Sequence, residues 1–99
     1  MKEDCSKIIE HYGVNHQQRK LAEEVFELNE AIIQYEIVYR DMCYSGEAIN
    51  NQRQHIAEEI ADVMVILKQI QYYYEIPDEE IEDVMKYKVQ RTLKRMEKE

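Results

Sequence analysis

A chain can reverse direction only where its residues permit it, and this one permits little: two glycines and one proline in 99 residues. Sheet proteins need such residues at every turn, and no stretch alternates apolar with polar residues as a half-buried strand does. The composition therefore predicts an all-α fold of long helices joined by short connections, broken at Gly13, at Ser45-Gly46 and at Pro77. The first helix is expected over about Asp4–Tyr12, with Gly13 just past its end. Asn15 is the expected N-cap of a second helix reaching about Tyr44. A third begins between Glu47 and Arg53 and runs to about Tyr74. The fourth follows Pro77, with Asp78-Glu79-Glu80 facing the positive end of its dipole and Lys94, Arg95 and Lys98 the negative end. Residues 1–99 form a single domain, too short for a second core.

The second helix carries an apolar stripe of Leu21, Val25, Leu28, Ile32, Tyr35, Tyr39 and Met42, spaced alternately four and three apart. That is the seam of a helix packed lengthwise against others, as in a helical hairpin or four-helix bundle. Phe26, Ile33 and Ile37 lie on nearly the opposite side. A helix apolar on two sides must be covered on both, and in so short a chain a second subunit is the expected cover. An intertwined homodimer or homotetramer follows.

Acids flank the same seams. On a wheel of about 100° per residue, with Glu24 at zero, Glu27 falls near 300° and the apolar stripe between about 20° and 100°. On the third helix, with Glu59 at zero, Asp62 falls near 300° and Ile60, Val63, Leu67 and Ile70 fill the same arc. Two antiparallel helices packed through these stripes would gather Glu24, Glu27, Glu59 and Asp62 at one edge of the core. Four ionised carboxylates so placed repel one another, and a hard divalent cation such as Mg²⁺, or Mn²⁺, removes the conflict. One ExxE alone is commonly a solvated helix face; two matched pairs are not. On the fourth helix Lys88, Arg91 and Arg95 share a flank beside Ile81, Met85, Val89, Thr92 and Met96. Such cations would neutralise phosphate charge that a metal leaves uncovered.

A formal net charge of −8 argues against binding nucleic acid polymers, which need a basic footprint. It allows a nucleotide, with a cation bridging carboxylates and phosphates. No apolar segment follows Met1–Cys5 and none is long enough to cross a membrane, so a cytoplasmic protein without a leader is expected. Cys5 and Cys43 have no metal-site spacing and read as two reduced thiols. His55 stands one turn before Glu59 and reads as a surface histidine; Lys20, one turn before Glu24, reads as its ion-pair partner. The eight tyrosines read as packing residues.

These residues resemble a known family. The run Gln17-Gln18-Arg19-Lys20-Leu21-Ala22-Glu23-Glu24-Val25-Phe26-Glu27-Leu28 is similar to the first motif of MazG-type nucleoside triphosphate pyrophosphohydrolases. Ala57-Glu58-Glu59-Ile60-Ala61-Asp62-Val63 resembles the second, and Lys88 with Arg95 the basic C-terminal element. The likeness spans nearly the whole chain and fits the small members with one motif set. Its 31-residue gap between Glu27 and Glu59 is longer than the family usually has. Thr92 stands where many members place an asparagine that contacts the nucleotide. The resemblance implies Mg²⁺-dependent hydrolysis of a nucleoside triphosphate, a deoxynucleotide or non-canonical nucleotide, between the α and β phosphorus atoms. It implies metal ligation by Glu24, Glu27, Glu59 and Asp62. Lys88, Arg91, Thr92 and Arg95 would bind substrate, with Lys88 and Arg95 on the departing pyrophosphate and Glu27 orienting the attacking water. Two other readings are possible for such a chain. A di-iron carboxylate bundle needs ExxH motifs, and none occurs. A non-catalytic helical dimerisation or regulatory module could keep an acidic metal-binding seam.

Overall fold

The computed structural model describes residues 1–40 and 46–99. Four helices make it up: α1 (Lys2–Tyr12), α2 (Val14–Arg40), α3 (Gly46–Tyr73) and α4 (Asp78–Met96), with no strand among the described residues. The described residues form an all-helical fold. The expected end of the second helix at Tyr44, and the stripe residue Met42 and Cys43, lie outside the described residues.

Gly13 performs the first turn alone. Its backbone stands at φ 88° and ψ 150°, a conformation essentially confined to glycine. Its N–H donates to Ile9 O at 2.8 Å and its carbonyl accepts from Gln17 N–H at 3.1 Å. One residue thus closes α1 and opens α2, which displaces Asn15 from the expected cap into the helix itself.

α2 and α3 form the long antiparallel hairpin, and α1 lies across it, mainly against α3. Ile9, Cys5, Ala31 and Ile66 are the buried apolar side chains; complete burial of a residue such as Ile9 contributes about 1.5–3 kcal/mol. The hairpin seam on α2 follows the heptad Gln17, Glu24, Ala31, all buried, flanked by half-buried Leu21, Leu28 and Tyr35. On α3 it follows Ile56, Glu59, Val63, Ile66 and Ile70. The sequence stripe is therefore split. Val25, Ile32, Ile60 and Leu67 stay exposed, as do Phe26, Ile33 and Ile37 on the other side of α2. One neighbouring helix covers a narrower arc than the apolar residues occupy, so the hairpin packs through one edge of that arc. Glu24 and Glu59 consequently sit inside the seam rather than on its shoulder, while Glu27 and Asp62 remain at the rim.

α3 ends in a Schellman closure. Glu75 N–H donates to Tyr72 O and Ile76 N–H to Gln71 O, both at 3.1 Å, with Glu75 at φ 57° in the left-handed position usually given to glycine. Asp78 then fastens the start of α4. Its carboxylate accepts from Lys68 Nζ and Gln71 Nε2, both at 2.7 Å, and from the Tyr72 hydroxyl at 3.2 Å. These donors, Lys68 first, pull its pKa down to about 2. Beyond that anchor α4 lays no part of its length against α1, α2 or α3, and none of its residues is buried. No described helix is long and apolar enough to cross a membrane.

Candidate metal centre

The register of the hairpin assembles the acids. Near its open end, Gln17 Nε2 donates to Gln69 Oε1 at 2.8 Å, both residues buried. Seven residues onward on α2 and seven back on α3 stand Glu24 and Asp62; three further in each direction stand Glu27 and Glu59. Equal steps along antiparallel helices keep residues level, because each residue adds the same rise of about 1.5 Å. Glu24, Glu27 and Glu59 accordingly bring one carboxylate oxygen each within 4.8 Å of one another. Asp62 is exposed and lies outside that trio; it shares with Glu24 the wall of an adjoining cavity of about 590 Å³.

Burial makes the cluster costly. Glu24 and Glu59 are 7% and 9% exposed, and the Oε2 atom of each is enclosed without any hydrogen-bond partner. Lys20 Nζ approaches Glu24 Oε1 at 3.3 Å, as its spacing predicts, and this contact raises the Lys20 pKa. Glu59 Oε1 lies 3.9 Å from His55 Nδ1, beyond hydrogen-bond range. Glu27 is exposed, and its pKa is raised first by the Glu24 carboxylate, then by desolvation and by Glu59. An unsatisfied buried acceptor costs about 1–3 kcal/mol, and more when charged. A divalent cation would supply what these oxygens lack: positive charge and a shared partner within reach of all three side chains. The donors are hard carboxylate oxygens, which fits Mg²⁺ or Mn²⁺.

The 590 Å³ cavity beside Glu24 is also lined by Arg19 and Lys20, by Tyr12 and His16, and by Gln17 and Gln69. The Tyr12 and His16 rings stack there, 5.1 Å apart and 19° from parallel. A second cavity, of about 430 Å³, opens from Glu27 and Glu59 toward the other end of the hairpin and contains no lysine or arginine.

Within one chain the α4 residues do not reach the acids. Lys88, Arg91, Thr92 and Arg95 are all exposed on a helix that, beyond Asp78, lies against none of α1–α3. The Thr92 hydroxyl donates to the Lys88 carbonyl at 3.0 Å, and Arg91 lies 6.0 Å from the Tyr87 ring centre. Sequence reasoning missed the Gln17–Gln69 pair, although a signal existed. Gln17 precedes Glu24 by one heptad, a polar residue where a seam position would normally be apolar. Comparison of the chain with protein-family models, characterised proteins and solved structures finds no match.

Proposed function

We propose that this protein is a MazG-type pyrophosphohydrolase that hydrolyses a nucleoside triphosphate, a deoxynucleotide or non-canonical nucleotide, to the monophosphate and pyrophosphate. The observation that carries the reading is the pair of buried, unpartnered carboxylate oxygens on Glu24 and Glu59, converging with Glu27 beside a cavity that bears Arg19 and Lys20. Bound there, Mg²⁺ or Mn²⁺ supplies Lewis-acid stabilisation of phosphate charge and a more acidic water. Glu24 and Glu59 would hold the ion from inside the seam, with Asp62 on the wall of the adjoining cavity. Glu27, exposed at the rim of the cluster, would orient a water toward the α-phosphorus and take its proton. The bond from that phosphorus to the bridging oxygen breaks, and pyrophosphate leaves with that oxygen. Arg19 and Lys20 meet the phosphates from the cavity side.

The α4 cations enter this scheme from a second copy. The chain exposes 8141 Å², whereas a compact monomer of its mass exposes about 6,000 Å². Its radius of gyration is 17.3 Å against about 13 Å for a compact domain of this length. The excess of about 2,000 Å² exceeds what one partner buries in an ordinary stable interface, about 800 Å². A homodimer or homotetramer that covers Phe26, Ile33 and Ile37 and seats α4 on a neighbour would bring Lys88 and Arg95 to the neighbour's acids.

A nucleotide panel with Mg²⁺ tests the reaction, reading pyrophosphate against orthophosphate. Pyrophosphate is expected as the first product, and Glu59→Gln is expected to abolish its release in a folded protein. Orthophosphate first would refute the cleavage site; a fully active Glu59→Gln protein would remove Glu59 from the centre. One observation favours the alternative of a non-catalytic dimerisation module: the basic helix stands apart from the acids within the chain. Absence of turnover across the panel, with metal binding intact, would establish that alternative.

A further inference from the structure

We infer that two copies of this chain join through α4, each helix lying antiparallel along the other with its apolar stripe inward. The pairing goes beyond the hydrolase reading and does not depend on what the acids bind. Ile81, Met85, Val89, Leu93 and Met96 fall within about 120° of one another on a wheel of about 100° per residue, and all five are exposed. α4 is 19 residues long, yet no other described helix lies against it. Helices in proteins owe most of their stability to packing an amphipathic face, so the stripe calls for a cover from outside the chain.

Charge identifies that cover. Within residues 78–83 every ionisable side chain is acidic: Asp78, Glu79, Glu80, Glu82 and Asp83. Over residues 86–98 the balance reverses, with Lys86, Lys88, Arg91, Lys94, Arg95 and Lys98 against Glu97 alone. The helix dipole accounts for charges in the first and last turns only; Asp83, Lys88 and Arg91 stand beyond them. Lys68 takes up Asp78 and Lys86 takes up Glu82. Glu79, Glu80, Asp83, Lys94, Arg95 and Lys98 form no ion pair among the described residues. A helix acidic at its start and basic at its end complements a reversed copy of itself, whereas a parallel pair would set acids against acids. In the antiparallel pair Ile81 lies beside the partner's Met96 and Met85 beside the partner's Leu93, with Val89 near the two-fold axis. The exposed face of α2 suits α4 less, because Glu23 and Glu30 fall within about 60° of Phe26 there and would meet the acidic start of α4. The surface is sufficient: the chain exposes about 2,000 Å² more than a compact monomer, and one partner in a stable interface buries about 800 Å².

Disulfide mapping and sedimentation of the full chain test the pairing. Mixed under mild oxidation, the Ile81→Cys and Met96→Cys proteins should cross-link between positions 81 and 96, read by mass spectrometry of the peptides. Paired positions must then lie within the about 4.4–6.8 Å between Cα atoms that a disulfide spans. Neither protein alone should link to itself at its substituted position. Val89→Glu, at an exposed position away from α1–α3, should keep wild-type helicity and sediment at half the wild-type mass. Self-linking of the Ile81→Cys protein at position 81 would show a parallel pair. Absence of the mixed cross-link, an unchanged mass for Val89→Glu, or a monomeric wild type would show that this face does not join the copies. Each of these overturns the inference. None involves turnover, so the hydrolase reading stands or falls separately, on the products of the nucleotide panel.

Discussion

Replacing Glu59 by methionine should make the cation-free protein more stable, although most substitutions at buried positions destabilise. Glu59 is 9% exposed, and its Oε2 is enclosed without a hydrogen-bond partner. Methionine keeps the length and removes the unsatisfied acceptor, which relieves about 1–3 kcal/mol. For a domain of this size each kcal/mol moves the melting temperature by about 4–8 °C. In EDTA, at fixed protein concentration, Glu59→Met should therefore melt several degrees above the wild type. Saturating Mg²⁺ reverses the order: a ligand at a hundred times its Kd adds about 2.7 kcal/mol to the protein that binds it, and the variant lacks the seat. Thermal melts of both proteins, with EDTA and with millimolar Mg²⁺, give the four values needed. A variant that melts below the wild type in EDTA would refute the reasoning, because it would mean that the Glu59 carboxylate is already satisfied without a cation.

Two further outcomes concern groups whose strain is local. Because the folded-state pKa of Glu27 is raised above the ordinary 4.5, the native state holds that proton more tightly than the unfolded chain does. Its contribution to stability is present below about pH 4.5 and lost as pH rises through the raised value. Denaturant melts in EDTA from pH 4 to 7 should show that loss in the wild type and a flatter profile in Glu27→Gln; identical profiles would contradict it. Glu75 occupies a left-handed conformation at φ 57°, which costs an ordinary residue about 1–2 kcal/mol. Glu75→Gly should raise the denaturation midpoint without changing the m-value, by up to about 1 kcal/mol once glycine's greater unfolded freedom is counted.

Helix number and breaks are legible in the sequence because they depend on local chemistry: Gly13, Pro77 and the acid run after it act within a few residues. The gathering of the acids is legible for a different reason. Glu24–Glu27 and Glu59–Asp62 have matched spacing, and three of the four converge in the structure. What periodicity alone hides is which edge of a broad apolar arc is used. Leu21 and Val25 are equally apolar, yet the first is half-buried and the second exposed. That choice is made by the partner helix, which carries its own buried Glu59 and Gln69 to meet Glu24 and Gln17. The place of α4 is hidden too. Its apolar residues Ile81, Met85, Val89 and Met96 stay exposed, and no described helix lies against them.

The buried polar residues explain why the hairpin keeps one register. Apolar seams tolerate sliding, since Leu, Ile and Val replace one another at small cost. A seam carrying Gln17 against Gln69 and Glu27 level with Glu59 does not: a shift by one heptad would separate the two amides, and in one direction it would set Glu27 against Ile66 and Asp62 against Ala31. Each amide so stranded costs about 1–3 kcal/mol. The Gln17–Gln69 bond thus fixes, from about 10 Å away along the helix, the level at which Glu24 meets Asp62. A cation site of the kind proposed, which must hold donors to within fractions of an ångström, is better served by this remote lock than by its own mutually repelling acids.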